Sequence, residues 1–144
     1  KDKYDITLET KNVEIKTIAS IDEEVTIKHS QLFNADQNYL VVVHVEESSA
    51  GETLNQLIYS MQNNPILYNN YNFVLNVERE KKRVSPVDAD NKHFIVKSIV
   101  IYDANEINPF EEIPENVSQL TYKLNLIDKN NLPQSEWIKE FHNV

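Results

Sequence analysis

A mainly β fold, a β-sandwich carrying one or two short helices, is what this sequence predicts, and three observations predict it. Apolar residues alternate with polar ones in several separate runs, such as Tyr71 to Val77 and Leu120 to Leu126, which is the two-residue period of a strand with one buried face. Clusters of Asn and Asp separate these runs and supply turn chemistry. Helical periodicity is confined to two short stretches. The second choice is an α+β fold, an antiparallel sheet with its helices on one face. The stretch from Tyr39 to Tyr71 is also long enough for a βαβ unit.

The best-written stretch is Asn38 to Pro65. Val41, Val43 and Val45 share one face of a strand, and Leu40, Val42 and His44 share the other. One face is apolar and the other nearly so, which predicts a central strand. Ser49 then stands three residues before Glu52, the spacing of a capping box. Leu54, Leu57, Ile58 and Met61 follow as one helical stripe, and Asn63, Asn64 and Pro65 end it. A helix over 49–63 should lay that stripe on the sheet that owns the strand.

The rest of the chain is read around this stretch. Lys1 to Tyr4 is expected to be a frayed end. Ile6 to Thr17 predicts one long bent strand or two short ones, and Val25 to His29 another after a turn at Ile21–Glu24. Gln31 to Gln37 should turn into the central strand. Tyr71 to Val77 reads as a strand, because Tyr71, Phe73, Leu75 and Val77 alternate with Asn72, Val74 and Asn76. Arg79 to Lys92 reads as a charged loop, basic in its first part and acidic in its second. His93 to Tyr102 is a further strand, followed by an acidic, proline-marked loop over 103–116. Leu120 to Leu126 is the last strong strand. Pro133 sits where a first helical residue is favoured, and Trp137, Ile138 and Phe141 stripe a short final helix. The total is about seven strands and two helices by this pattern.

Composition narrows the class. With 144 residues, 40% of them hydrophobic and 26% charged, the chain suits one globular domain over 1–144. The net charge of −9 argues against nucleic acid and against simple adsorption to an anionic membrane. The absence of Cys excludes disulfides, thiolate metal sites and Cys nucleophiles within the chain. No apolar run reaches membrane-spanning length. The first residue is Lys, so the chain is expected to be a trimmed piece from which any export signal has been removed. The single glycine, Gly51, means that turns needing positive φ must use Asn or Asp. The bias towards Asn, Lys, Ile and Glu is that of an A/T-rich genome, as in many low-GC Gram-positive bacteria.

The opening strands and the run Asn34 to Ser48, NADQNYLVVVHVEES, resemble small immunoglobulin-like domains of Gram-positive bacterial lipoproteins. The resemblance covers Ile6 to Glu47. It implies an immunoglobulin-like sandwich, exported and surface-anchored, without catalysis, and it carries over no functional residue. The helix after Ser49 departs from it, since a further strand would be expected there.

No catalytic or cofactor motif stands out. His29, His44, His93 and His142 lack the spacing of a metal site. One glycine cannot build a nucleophile elbow or a phosphate-cradling loop. Asp88-Ala89-Asp90-Asn91 begins like a calcium loop, but His93 stands where glycine is needed and Ile99 where the bidentate Glu belongs. Glu111 and Glu112 are adjacent and point apart if extended, so they are not read as an acid/base pair. Two candidates for binding remain. One is Phe110, Glu111, Glu112 and Ile113, an aromatic held between Pro109 and Pro114 in an acidic loop. The other is the basic cluster Arg79, Lys81, Lys82 and Arg83. Tyr59, Tyr68 and Tyr71 could gather near the helix end.

These observations predict a non-enzymatic binding domain at a bacterial cell surface. Its partner would be a protein or a cell-envelope component, and it would meet the membrane only through an anchor upstream of Lys1. No cofactor and no metal is expected. The alternative is an acidic inhibitor or immunity-type protein that blocks a basic partner. An enzyme with a site assembled from scattered carboxylates and His ranks third.

Overall fold

Residues 4–142 are described by the computed structural model, except for the side chains of residues 138 and 140–142. The described strands are β1 (Ile6–Thr7), β2 (Lys11–Ala19), β3 (Glu24–Lys28), β4 (Gln37–Thr53), β5 (His93–Asp103) and β6 (Thr121–Asn125). The helices are α1 (His29–Leu32), α2 (Leu54–Gln62), α3 (Pro65–Tyr68), α4 (Tyr71–Lys81), α5 (Pro86–Asn91), α6 (Ala104–Ile107) and α7 (Gln134–His142). The fold is therefore mixed α/β, with far more helix than the alternation predicts. Two compact units divide the chain, one of residues 1–45 and 96–144, the other of residues 46–95.

A four-stranded sheet has the order β1-β2-β4-β5, and β3 and β6 form a second sheet of their own. β1, of two residues, pairs antiparallel with β2, of nine, so the stretch forms one short and one long strand, while β2 and β4 run parallel from Lys11↔Gln37 to Ala19↔Val45. That parallel pair departs from the two antiparallel sheets of an immunoglobulin-like sandwich and from the antiparallel sheet of the α+β alternative. The chain between the two strands contains β3 and α1, so the crossover precedes β4 instead of following it. The βαβ unit expected over 39–71 does not form, because its second strand is a helix.

In the first unit the core lies on both faces of the sheet. Leu40 and Val42, each 0% exposed, pack with Val25 and Ile27 of β3, Leu124 of β6 and Ile107 of α6. Val13, Tyr39 and Ile101 face the other way, where Val41, Leu132 and Trp137 pack on them. The Trp137 indole donates to the Leu132 carbonyl at 2.9 Å. The face assignment of Leu40, Val42 and Val41 follows directly from the strand alternation. Of the stripe expected on the last helix, Ile138 and Phe141 lie outside the described side chains.

A buried polar pair fixes the start of β4. Asn12 and Asn38 are register partners across the parallel pair, and the Asn12 Nδ2 donates to Asn38 Oδ1 at 3.2 Å. The Asn38 amide nitrogen in turn lies 2.9 Å from the Leu32 carbonyl and 2.7 Å from Asn34 Oδ1. One side chain thus ties α1 and the following turn to the register of the sheet. Glu14, also buried, is held by Lys16 at 3.0 Å and by the Gln31 amide at 3.4 Å.

The second unit corrects several expectations. β4 continues through Ser49, and the capping box is built by Thr53 and Gln56 instead of Ser49 and Glu52. Gln56 N–H donates to Thr53 Oγ1 at 3.1 Å, and Thr53 N–H donates to Gln56 Oε1 at 2.9 Å. The spacing occurs twice in succession, and the strand runs on past the first occurrence. The Asn doublets are caps as well as turns: Asn64 caps α3 and Asn70 caps α4. With Asn70 Oδ1 accepting from Phe73 N–H at 3.0 Å, the Tyr71–Val77 run starts as a helix. Its period of two also fits that helix, because Phe73 and Val77 are one i,i+4 pair and Tyr71 and Leu75 are another. Ser85 caps α5 with Pro86 in its first turn, so the expected charged loop over 79–92 is largely helical. The loop over 103–116 likewise opens with α6.

Gly51 serves close approach and not a turn. Its φ is not positive, but a Cβ there would meet the Phe94 carbonyl oxygen at 2.3 Å. The obstacle is backbone, which cannot rotate away. Gly51→Ala should cost about 1–3 kcal/mol, the range for overpacking, measured by chemical denaturation. Asn38→Ala should cost about 1–3 kcal/mol by leaving buried partners unsatisfied, and Asn38→Asp should not restore it, since a carboxylate cannot donate to the Leu32 carbonyl.

Candidate interaction surfaces

The first candidate, the Phe110 loop, belongs to the first unit and is packed more than it is free. Phe110 is 38% exposed. Its ring meets Tyr122 edge-on at 5.2 Å and His29 at 5.7 Å, and His29 lies 4.7 Å from the Phe33 ring. His29 Nδ1 is 2.9 Å from the Tyr122 hydroxyl, and the His29 backbone N–H donates to Leu120 O at 2.8 Å. The Phe110 N–H donates to Asn108 Oδ1 at 3.0 Å, which sets the loop. Ile113 is half-buried, while Glu111 and Glu112 are exposed. The loop thus seals an aromatic cluster that β3, α1 and β6 bring together.

Burial of that cluster bears on its two titratable side chains. Burial holds the His29 imidazole below its ordinary 6.5 and pushes the Tyr122 phenol up to about 12. In both cases the neutral form is the one that the fold favours.

The second candidate, the basic cluster, belongs to the second unit. Arg79 and Lys81 occupy the last turn of α4, where cations offset the carbonyl end of the helix. Arg79 donates to Asn76 Oδ1 at 2.8 Å, and Arg83 pairs with Glu80 at 3.0 Å. Lys82 caps the C-terminal end of the helix and is exposed. Beside the cluster runs a groove of about 350 Å³ between α2 and α4. Its apolar wall is made by Leu54, Ile58, Met61, Phe73, Val77 and Val84, and its polar rim by Asn76, Glu80, Lys81 and Arg83. Of the stripe expected on α2, Leu54, Ile58 and Met61 line the groove while Leu57 is exposed outside it, and Phe73 and Val77 are hidden in the sequence by a period that reads as a strand.

The burial within this unit is small. Its buried hydrophobic residues, among those described, are Ile58 and Ala89. Tyr59, Ile66 and Tyr71 are 68%, 84% and 75% exposed, and Leu57, Leu75 and Val87 are also open to solvent. Tyr68 is half-buried, its hydroxyl accepting from Gln62 Nε2 at 3.1 Å.

A larger groove of about 670 Å³ in the first unit runs along β2, β3 and β6. Lys16, Lys28 and Lys123 line it together with Asp22, Glu23 and Glu24, so it favours neither sign of charge. Among the described residues no group of three or more His, Asp or Glu side chains is placed to hold a metal ion, and no helix is long and apolar enough to cross a membrane. No family model matches the chain, and neither a curated protein nor a solved structure does so.

The His29 site predicts a pH dependence. Its folded pKa lies below the unfolded value of 6.5, so the unfolded chain takes up the proton first as pH falls. The stabilisation from neutral His29 is complete above 6.5 and is lost as pH falls through that value towards the folded pKa. Unfolding free energy should therefore drop more between pH 7.5 and 5.5 in the native chain than in His29→Gln, measured by urea denaturation at each pH.

Proposed function

We propose that the chain is a non-enzymatic interaction module and that its partner docks on the helical unit of residues 46–95. The observation that carries this reading is the mismatch between apolar content and burial there. Large side chains such as Ile66 and Tyr71 stand open to solvent over helices that bury little. Apolar surface left this way is a signature of a surface that another protein covers, and Tyr is among the residue types enriched at such interfaces.

The fuller form of the reading sets this module outside a bacterial cell. Its support is the strand pattern from Ile6 to Glu47, which resembles immunoglobulin-like lipoprotein domains. In that setting an anchor upstream of Lys1 holds the domain at the surface.

Affinity capture with the full chain as bait tests the module itself. A variant carrying Tyr59→Ser, Ile66→Ser, Tyr71→Ser and Val87→Ser should keep the native circular dichroism, because these side chains are exposed. The native chain should retain a protein that this variant loses. Identical retained sets would contradict the reading.

A further inference from the structure

The groove between α2 and α4 says more about the partner than its exposure alone. We propose that it receives an acidic amphipathic helix from another protein. The inference deepens the reading above and rests on it.

The shape argues for a helix. The walls are two helices, and the floor consists of side chains at helical spacing, Leu54, Ile58 and Met61 on one side and Phe73 and Val77 on the other. A third helix can set its own ridge of side chains into such a groove. An extended segment would need backbone partners, and the lining belongs to helices and to Arg83 and Val84 just beyond one of them, with no strand residue in it. A helix brings its own backbone bonds satisfied.

The charge argues for an acidic one. Lys81 and Arg83 stand at the rim in a chain of net charge −9. Glu80, the one carboxylate at the rim, is already paired with Arg83. Lys81 makes no ion pair among the described residues, so its ammonium is the rim charge left to meet a carboxylate. Carboxylates along the edge of an incoming apolar stripe would complement it and steer its approach.

The probe is a pair of synthetic helical peptides with one leucine stripe each, one bearing glutamates on the remaining face and one bearing lysines. The receptor is the full chain labelled with [methyl-¹³C]Met. Met61 is its only methionine, so a single methyl resonance reports on the groove. The glutamate peptide should shift that resonance saturably, and its affinity should fall about two- to fivefold at high salt, as exposed charge pairs are screened. Lys81→Glu should weaken it by a similar factor. Lys82→Glu, which alters a neighbouring lysine outside the groove, should bind as the native chain does. Both variants change exposed residues, and unchanged thermal melting establishes their fold.

A Met61 resonance unmoved by the glutamate peptide would overturn the inference. So would equal binding of the two peptides, or equal losses in Lys81→Glu and Lys82→Glu. If the peptides fail while capture still depends on the exposed apolar residues, the acidic-helix inference falls and the module reading stands. If capture fails as well, both fall.

Discussion

Two-sided burial of β4 is the constraint on which the first unit depends. A strand with solvent on one face can alternate polar and apolar residues and tolerate a slip. β4 cannot, because Tyr39 is buried on one side and Leu40 and Val42 on the other. A shift of one residue against β2 would exchange these sets between the two clusters. The Asn12–Asn38 pair guards against that slip. It is satisfied only in one register, and Asn38 also fastens the turn that delivers the chain into the strand. Once β4 is set, β3 and β6 have an apolar face to cover, and the aromatic cluster around His29 forms at the edge of their pairing.

The second unit is built on different terms. Its helices are specified locally, by Thr53 with Gln56, by Asn64, by Asn70 and by Ser85 with Pro86. Caps stabilise helix ends by about 1 kcal/mol each, and short helices in water need tertiary burial beyond that. Ile58 and Ala89 supply little of it. A bound helix in the groove would supply more, and the stabilisation would scale with partner concentration. Exposed apolar surface and modest internal burial are thus two aspects of one arrangement.

The sequence made some of this legible and hid the rest. The faces of β4 and the stripe of α2 were readable because each is a single unbroken period. α4 was not, since Tyr71, Phe73, Leu75 and Val77 satisfy both a strand and two helical i,i+4 pairs, and the cap at Asn70 decides between them. Ser85-Pro86 carried a helix start in plain view, obscured by the charge around it. The parallel pairing of β2 with β4 leaves no local trace, as it joins residues 26 positions apart, such as Asn12 and Asn38. Of the candidate surfaces, the basic cluster was legible as composition. The apolar groove beside it depends on which face α4 turns inward, which only the fold decides. Phe110 was legible as an aromatic in a constrained loop, but its partners His29 and Tyr122 come from α1 and β6, which only the fold brings to it.

Native-state hydrogen exchange tests most directly the central claim, that burial is concentrated in the first unit and withheld from the second. Amides of residues 39–43 in β4 should exchange only through global opening, and those of α2 and α4 far faster, by local opening. Helical amides as slow as those of β4 would contradict the claim, for they would show that the helices are held by more than the caps and the small core described.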